Sequence, residues 1–195
     1  MKPVQTLLLV TLSGSLLFAS NHNGVKKEQK QKQSVVKIGQ KSTKLLIQTL
    51  GKNMKKHMKK GGPVETLTFC SDKAYTLTAD VNKKLPKGVS IKRVSLKNRN
   101  SFNKPETDEV KVLETFQSMK DQKIQLPQHL IQQVDATTYK FYKPLVIKKK
   151  VCLKCHGDIT NEKLKNTIAK KYPEDKATGY KMGDIRGAVV VTIKK

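Results

Sequence analysis

Two cysteines and a histidine stand together in "CLKCH", Cys152 to His156. C-x-x-C-H is the attachment motif of c-type haem. The spacing suits that chemistry. Two thiols separated by two residues add to the two vinyl groups of one haem as thioethers. The histidine that follows is then held beneath the iron, where an imidazole nitrogen serves as the proximal ligand. Cys152 and Cys155 are accordingly the expected thioether residues, and His156 the expected iron ligand. A thioredoxin-like redox pair would want a strand-to-helix setting, usually with a preceding Trp, and the chain has no Trp. A four-ligand zinc site would want a second C-x-x-C or an H-x-x-H, and the sequence has neither. One motif implies one haem rather than a multihaem wire.

The third cysteine, Cys70, lies far upstream in "VETLTFCSDKA". Val64, Leu67, Cys70, Ala74, Leu77 and Val81 fall at helical spacing, so Cys70 is expected on the core side of a helix. There it is either a buried thiol acting as a small hydrophobe or a sixth ligand to iron. An intermolecular disulfide is disfavoured at a core-facing position. Met54, Met58, Met119, Met182, His57 and His129 are the other available sixth ligands. Methionine is the usual partner in electron-transfer cytochromes because it raises the potential. His57, in "KKHMKK", reads as solvated. The residues alone leave Cys70 and the methionines level. Arg93, Arg99 and Arg186 are the only arginines. Their forks suit haem propionates, and ordinary surface pairing is the other reading of each. Tyr139, Phe141 and Tyr142 suit either a haem wall or a sheet core.

The elements that must position these residues follow from the rest of the pattern. Residues 1–20, "MKPVQTLLLVTLSGSLLFAS", have the build of a secretory signal peptide, with cleavage expected near Ala19 or Ser20. The apolar run is short for a membrane span of ~20 residues; an uncleaved anchor is the alternative. No cysteine follows Ala19, so no lipoprotein anchor is expected. Residues 21–34 are polar and expected to be a flexible segment. A helix is expected from Gln33 to Lys59, weakened by Gly39 and Gly51. "GGP" at Gly61–Pro63 should stop it and start a second helix from Val64 to Lys83. Strands are expected at Val89–Leu96, Thr137–Ile147 (ending or bulging at Pro144) and Ile185–Ile193. Helices are expected from Asp108, as cap, to Lys120, along the row Val110, Leu113, Phe116 and Met119, and from Asn161 to Lys171. A linker containing Pro127 separates the Lys120 helix from the second strand. Residues 35–195 thus form one α+β domain.

The charge narrows the partners. Lys plus Arg number 40 against 15 Asp plus Glu, a net +25 over 195 residues. Nucleic acid is not expected, because the chain is read as exported and its basic residues are nearly all lysine, whereas base readout favours arginine forks. A solvated lysine coat remains. It would steer an acidic redox or signalling protein, with membrane contact only during export. The oligomeric state is not readable.

Four stretches occur in order: "FCSDKA" (Phe69 to Ala74), "RVSLKNRNSFNKP" (Arg93 to Pro105), "CLKCHG" (Cys152 to Gly157) and "YPEDKATGYKMGDIRGAVVV" (Tyr172 to Val191). Together they resemble a bacterial family of exported mono-haem c-type proteins, known from a cyanobacterial haem protein and from sensor domains of some histidine kinases and chemoreceptors. The resemblance spans residues 35–195. Ser101 stands where relatives often have proline. The resemblance implies a PAS-like antiparallel sheet packed with helices around one covalent haem c. It also implies an axial pair of His156 and Cys70, with Cys70 distal. No kinase or methyl-accepting segment follows Lys195, so a stand-alone form is expected. A thiolate on ferric iron should depress the potential, and its release on reduction would be a redox-linked switch. The expected function is therefore a periplasmic redox or ligand sensor, with a soluble electron-transfer cytochrome c as the alternative. An enzyme such as a peroxidase is not expected, since a six-coordinate haem has no open position.

Overall fold

The computed structural model describes residues 22–195; the expected signal peptide lies outside the described residues. Helix α1 (His22–Lys83) is far longer than the sequence pattern suggests. The segment expected to be loose over residues 21–34 is helical from His22. Its Glu, Gln and Lys residues are good helix formers, and Glu28 and Lys32 pair one turn apart at 2.6 Å. Gln31 donates to the Tyr139 hydroxyl at 2.8 Å, and Val35 is fully buried. The two helices expected on either side of "GGP" are one kinked element. Gly61 (φ −153°, ψ 22°) and Gly62 (φ 69°, ψ −156°) turn the corner, and Pro63 starts the second arm. Only glycine takes the Gly62 angle without strain, and proline's fixed φ suits a helix start.

Four antiparallel strands form one sheet in the order β1-β4-β3-β2. They are β1 (Val89–Val94), β2 (Leu130–Gln133), β3 (Thr138–Val146) and β4 (Ile185–Lys194). Strand β1 stops before Leu96 because the Ser95 N–H turns away to the Asn103 carbonyl at 3.0 Å. Strand β2 occupies part of the expected linker. It is only four residues long and is recruited by pairing with β3 across a turn that Asp135 caps, accepting from the Thr137 and Thr138 N–H groups at 2.8 Å each. Pro144 neither ends β3 nor sits at its irregularity. It pairs with Ala188 beyond the reach of β2, and the register shift comes after it, between Leu145 and Val146.

Each sheet face has its own helix. On one face Ile91, Tyr139, Phe141, Val189, Val191 and Ile193 pack against Val35, Leu46 and Val81 of α1. On the other, Val94, Tyr142, Ala188 and Val190 pack against Val112, Leu113 and Phe116 of α2 (Thr107–Asp121). The N-cap of α2 is Glu106, not the expected Asp108. Glu109 accepts the Glu106 N–H at 2.9 Å and closes a capping box. Two short helices complete the domain: α3 (Lys150–His156) and α4 (Glu162–Lys171), the latter capped by Asn161, which accepts from the Leu164 N–H at 2.8 Å. The architecture is the expected α+β one, an antiparallel sheet with a long N-terminal helix and flanking helices. No helix among the described residues is long and apolar enough to cross a membrane.

Candidate haem site

The pentapeptide is the C-terminal part of α3, just after β3. Three residues on a helix bring Cys152 and Cys155 onto one face, a turn apart. The helix must end at once. The Gly157 N–H closes it onto the Leu153 carbonyl at 2.8 Å, and a side chain at Gly157 would meet that carbonyl oxygen at 2.7 Å. Both motif cysteines are half-buried free thiols. They look into different apolar clusters. Cys152 packs with Ile147, Ala177 and Tyr180. Cys155 packs with Leu67 of α1, Leu164 and Ile168 of α4, and Tyr172.

His156 makes one polar contact, from Nδ1 to the Ala177 carbonyl at 2.9 Å. A carbonyl only accepts, so Nδ1 carries the proton and Nε2 keeps its lone pair. This is how proteins orient a metal-binding histidine. Burial pushes its pKa down to about 3, with Arg186 and Arg99 adding to the effect and the Ala177 bond opposing it, so the ring is neutral. Tyr180 stands edge-on to the ring, with centroids 6.2 Å apart. Its N–H bonds the His156 carbonyl at 2.9 Å, and the Gly179 N–H bonds that of Gly157 at 3.0 Å, strapping the last loop to the motif.

Behind this lies a buried ion pair. Arg99 Nε and Nη2 meet the two Asp175 oxygens at 3.1 and 3.0 Å, with side chains only 8% and 7% exposed. Arg99 Nη2 also donates to the carbonyls of Cys155 at 2.7 Å and Ala177 at 3.3 Å. Asp175 accepts the Ala177 N–H at 2.9 Å. The pair therefore fixes both the backbone of the motif and the carbonyl that orients His156. Sequence reasoning singled out Arg99 but not this use of it. Its partner lies 76 residues away on another loop, and nothing in a single sequence joins the two.

Cys70 sits on the second arm of α1, one turn beyond Leu67, and the fold brings it to the motif. It lies within electrostatic range of Cys155, Arg93 and Tyr172, and Leu67, one turn before it, packs with Cys155 and Tyr172. Burial pushes the Cys70 thiol up, against the pull of Arg93 and Arg99. The other sixth-ligand candidates are placed differently. His57 stacks on Phe69 at 3.7 Å and bonds Glu65 at 2.9 Å, so it is not simply solvated. His129 stacks on Phe141, Met119 belongs to α2, and Met182 is exposed. Tyr139, Phe141 and Tyr142 are core residues of the two sheet faces, not walls of this site. The aromatic residues beside the motif are Tyr172 and Tyr180, which the sequence reading did not single out.

Two polar atoms here are left over. The Nε groups of Arg93 and Arg186 are buried without a hydrogen-bond partner. Arg186 gives Nη1 to Ser95 Oγ at 2.7 Å and the Lys97 carbonyl at 3.1 Å. Buried donors of this kind are rare unless a ligand takes them. Two half-buried thiols, a neutral imidazole with a free Nε2, a third thiol within electrostatic range and two half-buried guanidinium groups with unmatched Nε atoms fit a haem, which has matching vinyl, iron and carboxylate groups.

The family model described as Tll0287-like matches residues 19–194. Among solved structures, the chain is similar to the crystal structure of the cyanobacterial haem protein Tll0287. The TM-score is 0.56 at 23% identity, over 90% of this chain and 98% of that one. No curated protein matches by sequence.

Proposed function

The chain belongs to the Tll0287-like family, and from that premise we propose that it is an exported, periplasmic protein carrying one covalent haem c as a redox or ligand sensor. The observation that carries the reading is His156, held through Nδ1 by the Ala177 carbonyl with Nε2 free, directly after a C-x-x-C pair. Bound haem would supply a one-electron iron couple. Cys152 and Cys155 would each add S–H across a vinyl double bond, the sulfur to one carbon and the hydrogen to the other. His156 would hold the iron through Nε2, and Cys70 would supply a second ligand. Arg99 and Asp175 keep the motif backbone and the imidazole in register. Tyr172 packs beside Cys155 and Tyr180 beside Cys152.

The sensor reading draws on the second arm of α1. Cys70 rides on an arm that begins at the Gly61–Gly62 kink, so a change at the sulfur can be transmitted as a change in the arm's angle. No catalytic activity is proposed. The test is acid-acetone extraction of protein purified from a host with c-type maturation. Haem should stay with the polypeptide, and Cys152→Ser with Cys155→Ser should release it. Haem that extracts from the wild type, or zinc in its place, refutes the proposal.

A further inference from the structure

Arginine is scarce in this chain and concentrated in one place. Only three of the 40 basic side chains are arginine, and all three meet at the site. Arg186 is pushed down first by burial and then by the neighbouring charges of Arg99 and Arg93. Arg99 and Arg186 both act on His156, and Arg93 acts on Cys70. Among the described residues the cluster has one carboxylate in an ion pair, Asp175, and Arg99 takes it in a two-point fork. Arg93 and Arg186 pair with none of the described carboxylates, and each buries an Nε with no acceptor. Two half-buried guanidinium groups, each with an Nε cut off from water and unpaired, carry a desolvation penalty unless anions meet them.

We propose that Arg93 and Arg186 are the seats of two carboxylates, the propionates of the haem edge. The inference rests on the haem reading and goes beyond it by assigning the residues that hold that edge. The two arginines come from adjacent antiparallel strands, Arg93 opposite Val189 on β4 and Arg186 three residues before that partner. Regular alternation would turn Arg186 to the other face, but the register shift leaves it unpaired between Ile185 and Gly187, and Ile185 packs with Ala188 and Val190. Arg186 thus falls on the face of Val189 and Arg93, as two propionates leaving one edge of a macrocycle require. Arg93 lies within electrostatic range of Cys70 and Tyr172, and Arg186 within range of His156, its guanidinium 5.5 Å from the centre of the Tyr180 ring. One seat is thus in reach of each expected iron ligand. Charge also balances. Ferric iron, the porphyrin dianion and one thiolate sum to neutrality, which leaves two propionates to meet two guanidiniums. Arginine rather than lysine is required because a planar fork binds a carboxylate through two donors.

The test uses the holoprotein and the variants R93Q, R186Q, R93K and R186K. Midpoint potential and the propionate bending band in resonance Raman are read beside covalent haem content. Loss of a cation favours the more positive ferric site. Each Gln variant should therefore lower the potential and shift the propionate band while haem stays covalently bound. The Lys variants should recover the potential more fully than the band, because they keep the charge without the fork. They also serve should a Gln variant fail to fold. Unchanged potential and band in the haem-loaded variants would overturn the assignment and leave the haem reading intact. A change in the sulfur-to-iron absorption of R93Q with an unmoved propionate band would overturn it for Arg93, making that residue the thiolate's counter-charge. A wild type without haem would instead refute the reading beneath it.

Discussion

Cys70 is one sulfur on which the choice between sensor and electron carrier turns. A thiolate ligand pulls an iron potential down and a methionine pulls it up. Cys70→Ala and Cys70→Ser should therefore both raise the midpoint potential, by on the order of 0.1 V within the ~0.8 V that axial ligands command. Both should change the ferric absorption spectrum and leave covalent haem content unchanged. Wild-type spectra and potential in both variants would return the sixth position to a methionine or histidine and move the electron-carrier reading ahead. The Arg99–Asp175 pair supports the motif backbone. Both side chains are more than nine-tenths buried, so Asp175→Asn leaves a buried guanidinium without its counter-charge. The expected loss is roughly 3–5 kcal/mol of folding stability, read by denaturant unfolding. A loss below about 1 kcal/mol would mean that water or another group replaces the carboxylate.

The glycines of α1 show what a pattern of residues can and cannot reveal. The sequence marks Gly39 and Gly51 alike, as weak points in a helix. The fold separates them. A side chain at Gly39 would strike the ring of Phe141, so the helix lies against the sheet there by backbone contact, whereas nothing lies within 4 Å of a side chain at Gly51. Gly39→Ala should therefore cost roughly 1–3 kcal/mol through overpacking, while Gly51→Ala should add about 0.5–1 kcal/mol through helix propensity. Thermal unfolding of the two variants should move in opposite directions; equal shifts would show that the α1–sheet spacing adapts freely. The same contrast explains how much was legible. The core strands announce themselves, because Val89 to Val94 and Ile185 to Ile193 are rich in β-branched residues. The haem motif is legible because its chemistry is local. Strand β2 was not, because "LIQQ" becomes a strand only beside β3. The helix before Val35 was not, because its anchors are Tyr139 and a core formed more than a hundred residues later. The Arg99–Asp175 pair was illegible for the same reason.

For the molecule as a whole, the lysine excess conceals a small, closely organised set of acids. Lys140, 9% exposed at its side chain, meets Glu106 at 2.9 Å, Asp108 at 2.8 Å and the fully buried Glu109 at 3.2 Å. Lys92 reaches Glu106 at 2.7 Å and Glu109 at 3.0 Å. This network ties the start of α2 to strands β1 and β3, so it couples the helix on one sheet face to the strands that carry the other core. Hydrogen bonds from Lys92 and then Lys140 pull the Glu106 carboxyl down to about 2. Lys140 is raised by its three carboxylates against the effect of burial. A carboxyl whose folded value lies below its unfolded one stabilises the fold fully above the unfolded value, about 4.5. That contribution is lost as pH falls through the folded value. The lysine's contribution, by the opposite sign, is present at neutral pH and lost only in strong alkali. Stability should therefore fall as pH drops from about 5 toward 2. Glu106→Gln removes the titrating group, so the variant should be less stable than wild type at pH 7 and converge with it near pH 2. Glu106 is largely exposed, which keeps the difference at neutral pH small, on the order of 1 kcal/mol. Urea midpoints of the two holoproteins measured at intervals from pH 7 to pH 2 would decide it. Curves that stay parallel throughout would show that the network does not contribute to acid stability, and that the fall belongs to the self-repulsion of a chain carrying a net +25.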